Sequence, residues 1–140
     1  MKPRCPSCAK IHLATEPCMA GVVLVCGGRD YDDCAFVWEC LDRVADRVTI
    51  TAIRHGAARG ADSLADQWAK RRGYTAQPFP VTSADWNARG RAAGHLRNTA
   101  MLDAGNVVCV VAFPGERGTE NMIRQAQERG LPVLRCVRSK

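Results

Sequence analysis

Two unbroken apolar runs, Val22-Val23-Leu24-Val25-Cys26 and Val107-Val108-Cys109-Val110-Val111, constrain this chain more than any other feature. A strand with one wet face alternates apolar and polar residues, whereas a run without polar residues belongs to a strand covered on both faces. Both runs end abruptly in turn-forming residues, the first at Gly27-Gly28-Arg29-Asp30-Tyr31 and the second at Pro114-Gly115-Glu116-Arg117-Gly118-Thr119. After each, the spacing changes to that of a helix. Val37, Cys40, Leu41 and Val44 share one helical face, with Asp32 or Asp33 suited to the N-cap. Met122, Ile123, Ala126 and Gln127 begin a second helical pattern that ends at Gly130.

The chain between the two runs repeats the same alternation. Residues 48 to 53 are rich in β-branched side chains and predict a strand, followed by the small-residue turn His55-Gly56-Ala57-Ala58-Arg59-Gly60-Ala61-Asp62. Asp62 is placed to cap a helix carrying Leu64, Ala65, Trp68 and Ala69, which stops at Arg71, Arg72 and Gly73. Gln77 to Val81 predicts a third strand, and Pro78 and Pro80 put it at a sheet edge. Ser83 to Trp86 opens a region interrupted by Gly90 and Gly94, and a helix is expected over about 95–104 with Leu96, Ala100 and Met101 inward. Pro132 to Val137 predicts the fifth strand.

Alternating strands and helices with crossovers of this length imply an α/β fold: a Rossmann-like, doubly wound, mainly parallel five-stranded sheet with helices on both faces. The expected division is an N-terminal Cys/His arm over residues 1–20 and the sheet domain over 21–140. Strand order 3-2-1-4-5 would put the topological switch point between strands one and four, where a doubly wound sheet holds its ligand. The glycine turns after these strands would then face each other, with residues 55–62 alongside.

Those turns carry phosphate-binding chemistry. Gly27, Gly28, Gly56, Gly60, Gly115 and Gly118 let backbone approach an anion closely, Pro114 shapes the last turn, and Thr119 offers a hydroxyl. Arg29, Arg59, Arg97 or Arg117 can form forked bonds to phosphate oxygens. A helix N-terminus adds unpaired N–H groups and a favourable dipole. Each piece alone has a bland reading as an ordinary turn or a solvated arginine; together they favour a phosphate or nucleotide site. The 20 basic and 14 acidic residues, net +6, also favour an anionic partner without identifying it.

Cysteine usage divides the chain. Cys26, Cys109 and Cys40 sit within apolar patterns and read as reduced core residues. Cys5, Cys8, His12 and Cys18 instead lie in a short polar segment with the chemistry of a structural Cys3His zinc site, resembling a zinc knuckle apart from the early His12. The alternative is an arm with incidental thiols. No redox cofactor is implied. No apolar stretch approaches the ~20 residues of a membrane-spanning helix, and the N-terminus lacks the apolar core of a secretory signal, so a cytoplasmic location is expected.

From residue 22 onward the chain resembles the YspA/YpsA-related branch of the SLOG superfamily, Rossmann-like domains akin to the LOG phosphoribohydrolases and the DNA-processing protein Smf/DprA. The resemblance rests on Gly27 to Asp30, His55 to Asp62, Ala84-Asp85-Trp86, Ala93 to Asn98 with Met101, and Phe113 to Thr119. It implies binding of a nucleotide or a nucleotide-derived, ADP-ribose-like ligand by Gly27, Gly28, Arg29, Asp30, Gly56, Arg59, Gly60, Asp62, Arg97, Asn98, Pro114, Gly115, Gly118 and Thr119. LOG relatives also suggest a homodimer or larger assembly.

Departures from the family pattern bear on chemistry. Glu116 replaces the second glycine of the LOG motif, Met122 stands where LOG enzymes have a catalytic glutamate, and Ala57 replaces a usual glycine. The leading expectation is therefore a ligand-binding protein, a sensor or sequestering module. An N-glycosidic hydrolase using Glu116, Glu120 or Asp30 is the alternative. Binding of single-stranded nucleic acid, through Trp86 with Arg89 and Arg91, ranks third.

Overall fold

The computed structural model describes residues 19–138 and is built on five strands, all parallel, in the order β3-β2-β1-β4-β5. The strands are β1 (Met19–Cys26), β2 (Val48–His55), β3 (Ala76–Pro78), β4 (Val107–Ala112) and β5 (Val133–Arg135). The helices are α1 (Cys34–Arg47), α2 (Ala61–Arg72), α3 (Ser83–Arg89), α4 (Arg91–Asp103) and α5 (Arg117–Glu128). The sheet, its order and its helical layers are those expected. The Cys5, Cys8, His12, Cys18 arm lies outside the described residues.

The two apolar runs occupy the centre because only there are both faces covered. Val23 and Val25 of β1 enter one core with Val37, Leu41, Ala65 and Trp68, while Leu24 and Cys26 enter the other with Met101, Val110, Met122 and Ile123. The period of two along β1 thus serves two helical layers at once. Burying a leucine or valine completely contributes roughly 1.5–3 kcal/mol, so polar substitution at either run would remove a large fraction of the domain's stability. Cys26, Cys40 and Cys109 are free thiols; Cys26 and Cys109 are core residues and Cys40 is half-buried beside Cys136.

Several boundaries differ from expectation. β2 extends through His55, while β3 and β5 are only three residues each, because an edge strand pairs on one side and gains less from length. α3 is a separate helix, started by Thr82, whose hydroxyl accepts from the Asp85 N–H at 3.0 Å. In α4, Leu96 and Ala100 face outward, contrary to the expected stripe; Ala93, Asn98, Met101 and Leu102 face in. In α5, Gln127 is exposed, and Asn121 and Thr119 join the buried face.

Arg54 of β2 explains one end of α4. Its buried guanidinium donates to the carbonyls of Met101 (2.8 Å) and Gly105 (3.0 Å) and to Gln77 Oε1 (3.0 Å), beneath the Phe79 ring. It therefore satisfies carbonyls at the end of α4 and ties β2, β3 and α4 together.

Candidate functional site

At the carboxyl ends of β1, β2 and β4 the turns enclose a crevice of about 800 Å³. This is the size range of sites that hold small molecules. Its walls are set by backbone packing. The Gly28 N–H donates to the Pro114 carbonyl at 2.8 Å, and the Ala61 N–H donates to the Gly28 carbonyl at 3.2 Å. Gly60 has φ +74°, and a Cβ there would lie 2.2 Å from the Gly28 oxygen. A Cβ on Gly115 would overlap the Thr119 hydroxyl at 2.1 Å. These two positions require glycine, so the three turns close on one another as a unit.

The second turn is held from below. Asp62 does not cap its helix in the expected way; its Oδ2 reaches back to accept from the Gly56 N–H (3.1 Å) and the Ala58 N–H (3.3 Å). Burial raises its carboxyl above the usual value, opposed by those hydrogen bonds and by His55 and Arg97. The Ala57 N–H donates to His55 Nδ1 at 3.0 Å, which places the imidazole proton on Nε2, against Asp66 Oδ2 at 2.7 Å. Ala57 itself has φ +58°. That left-handed conformation costs an alanine about 1–2 kcal/mol, a physical reason for glycine at this place in the family pattern.

A buried amide network fixes the third turn. Asn98 of α4 donates to the Gly118 carbonyl and to Asn121 Oδ1, both at 3.1 Å, and accepts from Arg97 Nε at 3.3 Å. Gln125 donates to Asn121 Oδ1 (2.7 Å) and to the His95 carbonyl (3.2 Å), and accepts from Thr99 (2.8 Å). Arg97 donates to the carbonyls of Gly56 and Phe79. Arg97 and Asn98 thus position the turns with the same groups that sequence reasoning offered to a ligand. Burial lowers the Arg97 pKa; Asp62 opposes this and the nearby Arg29 adds to it.

Gly27, Gly28, Arg29, Asp30, Gly56, Arg59, Asp62, Arg97, Asn98, Pro114, Gly115, Glu116, Gly118 and Thr119 line the crevice. Gly60 stands behind the wall, and Glu120 is drawn away into a forked pair with Arg135 at 3.1 and 3.3 Å. Met122 is fully buried in the core under the sheet. Asp30 pairs loosely with Arg59 at 3.6 Å, and both are exposed. Trp86 and His95 also line the crevice. Neither was among the expected nucleotide-binding residues, although Trp86 was offered as a nucleic-acid contact. The Thr82 to Asp85 cap was the available signal that Trp86 sits on a defined helix.

Charge is unevenly satisfied here. No carboxylate of the described residues lies within ion-pair distance of Arg29, Arg97 or Arg117, and the Thr119 hydroxyl makes no hydrogen bond within them. The N–H groups of Arg117, Gly118 and Thr119, in the first turn of α5, have no side-chain cap. Cys26 lines the crevice as a buried thiol, and burial and Asp62 push it up to about 12, disfavouring the thiolate. Among the described residues no cluster of His, Cys, Asp or Glu is arranged to hold a metal, and no helix is long and apolar enough to cross a membrane.

The gene 61 protein of Mycobacterium phage D29 is 41% identical over 118 residues, covering 80% of this chain and 93% of that protein. Residues 21–88 match the model of the YspA, cpYpsA-related SLOG family. The chain belongs to that family. SLOG membership makes it a nucleotide-related Rossmann-like domain, and the matched segment spans the first two turns and Trp86. Among solved structures, the C-terminal domain of the PF1911 hydrogenase from Pyrococcus furiosus is similar at 15% identity and a TM-score of 0.45, covering 89% of this SLOG chain and 98% of that one.

Proposed function

We propose that the crevice binds a nucleotide or nucleotide-derived ligand, with its phosphate against the first turn of α5, and that the protein acts as a sensor or sequestering module. The observation that carries this reading is the set of unpaired donors converging there: the N–H groups of residues 117–119, the Thr119 hydroxyl, Arg29 and Arg117, with no carboxylate pairing either arginine among the described residues. Glycine at 115 supports it by leaving the Thr119 hydroxyl room beside the turn, where a Cβ would overlap it.

Thermal-shift and calorimetric titrations with AMP, ADP-ribose and inorganic phosphate test the proposal. The nucleotides should stabilise the protein and phosphate alone should not. A flat response across the panel would reject it. Thr119→Val should weaken AMP at least roughly tenfold, the worth of a hydrogen bond to a charged group, with little change in secondary structure. A hydrolytic reading has one observation in its favour, that Glu116 lines the crevice while Glu120 is held by Arg135. Release of free base from AMP, abolished by Glu116→Gln and not by Glu120→Gln, would support it.

A further inference from the structure

Trp86 has no packing role that accounts for it. It belongs to α3, none of whose residues is buried; it is 43% exposed and outside both core clusters. Trp68 is wholly buried and Trp38 packs against the α1/α2 core, so each of the other two tryptophans has an apolar seat. Trp86 instead lines the crevice, with the Arg29 guanidinium over its ring at 5.5 Å from the centroid. Arg29 arrives there from the glycine turn after β1, with no carboxylate partner among the described residues and close enough to Arg97 for the two charges to repel. His95, on the same wall, has an imidazole without a hydrogen bond to any described residue.

The crevice therefore joins two unlike surfaces. The α5 side offers N–H groups and a hydroxyl, the chemistry of a phosphate seat, and the α3 side offers an aromatic face backed by a cation. A ligand that satisfies both must carry an anion and a flat π system on one frame. A sugar phosphate would leave the aromatic face in water. Resting on the nucleotide reading above, we propose that Trp86 is the platform on which the ligand's base stacks, with Arg29 bridging that platform to the phosphate seat. Trp86 is then the residue that discriminates nucleotides from base-less sugar phosphates.

Base–aromatic stacking commonly shifts affinity by roughly tenfold or more. Calorimetry on the full chain would compare AMP with ribose 5-phosphate, in the unaltered protein and in Trp86→Ala and Trp86→Phe. AMP should bind at least roughly tenfold tighter than ribose 5-phosphate, and Trp86→Ala should erase that difference while leaving ribose 5-phosphate unchanged. Trp86→Phe should keep most of it. AMP should quench tryptophan emission in the unaltered protein and not in Trp86→Phe, where Trp38 and Trp68 remain. Because no residue of α3 is buried and Trp86 lies outside both core clusters, both variants should stay folded and melt within about a few degrees of the unaltered protein. Equal affinity for AMP and ribose 5-phosphate, or equal weakening of both by Trp86→Ala, would overturn the base platform and leave the phosphate seat standing. Failure of both ligands to bind would bring down both readings.

Discussion

On one face of the sheet α1 is clamped to α2 by a charge: Asp42 accepts from Trp68 Nε1 at 2.9 Å and from the Arg72 guanidinium at 3.0 and 3.1 Å. On the other face α4 is joined to α5 by amides, with buried Asn98 and Asn121 and half-buried Gln125 sharing donors and acceptors. The charged clamp is half-exposed, so water and salt screen it, while the amide network is shielded and each of its bonds is costly to leave unmade. The α1/α2 layer gains its rigidity from packing around Trp68 and uses the clamp as a supplement. The α4/α5 layer, whose core is smaller, depends on its polar network, and that network also fixes the turn that carries Thr119.

Substitutions on the two sides should separate these contributions. The largest effect is expected at Gly60, where the loop leading into α2 meets the first turn. Gly60→Ala combines a left-handed φ with a Cβ overlapping the Gly28 and Arg29 carbonyls, and should lower stability by on the order of 3 kcal/mol in urea titration. An unchanged midpoint would mean that the two turns separate freely. Asn98→Ala should cost about 2 kcal/mol by leaving the Gly118 carbonyl short of a donor, and the loss should be insensitive to salt and pH.

Asp42→Asn should cost less, about 1 kcal/mol after allowance for exposure. The hydrogen bond from Arg72 lowers the Asp42 pKa from 3.8, burial opposes this, and Trp68 adds to the lowering. A depressed native pKa means that the contribution is fully present above 3.8 and disappears as pH falls through the native value. The gap between the unaltered protein and Asp42→Asn should therefore close in acid and narrow in high salt, whereas the gap for Asn98→Ala should not. If both gaps respond alike, the contrast between the layers is wrong.

The sequence carried the frame better than the joints. Residues 22–26 and 107–111 announced central strands because burial on both faces removes every polar residue, and Pro78 and Pro80 marked an edge because proline cannot donate to a ladder. The helix α3 was legible only as an interrupted region opening at Ser83, because it buries no stripe; its capping threonine was a further local sign. In α4 the apolar pattern misled: Leu96 is exposed and Asn98 buried, because a polar residue with all its partners supplied can occupy a core position. The crevice itself followed from strand order, but the double use of Arg97 and Asn98 required their partners from distant turns, and those have no trace in local spacing.

One consequence of the strand order is kinetic. β1 sits between β2, which follows it after a single helix, and β4, which arrives only after four helices and two further strands. Closing the longer loop is entropically later, so β1, α1 and β2 can associate before β4 docks, and the crevice between the turns after β1 and β4 is among the last parts to be completed. If β4 docks after the rate-limiting barrier to folding, a bound molecule would meet its full set of donors only beyond that barrier. In stopped-flow refolding, AMP should leave the folding arm of the chevron in place and slow the unfolding arm; acceleration of folding by AMP would refute this order of events. Occupancy of the crevice would then act as a latch on the finished fold.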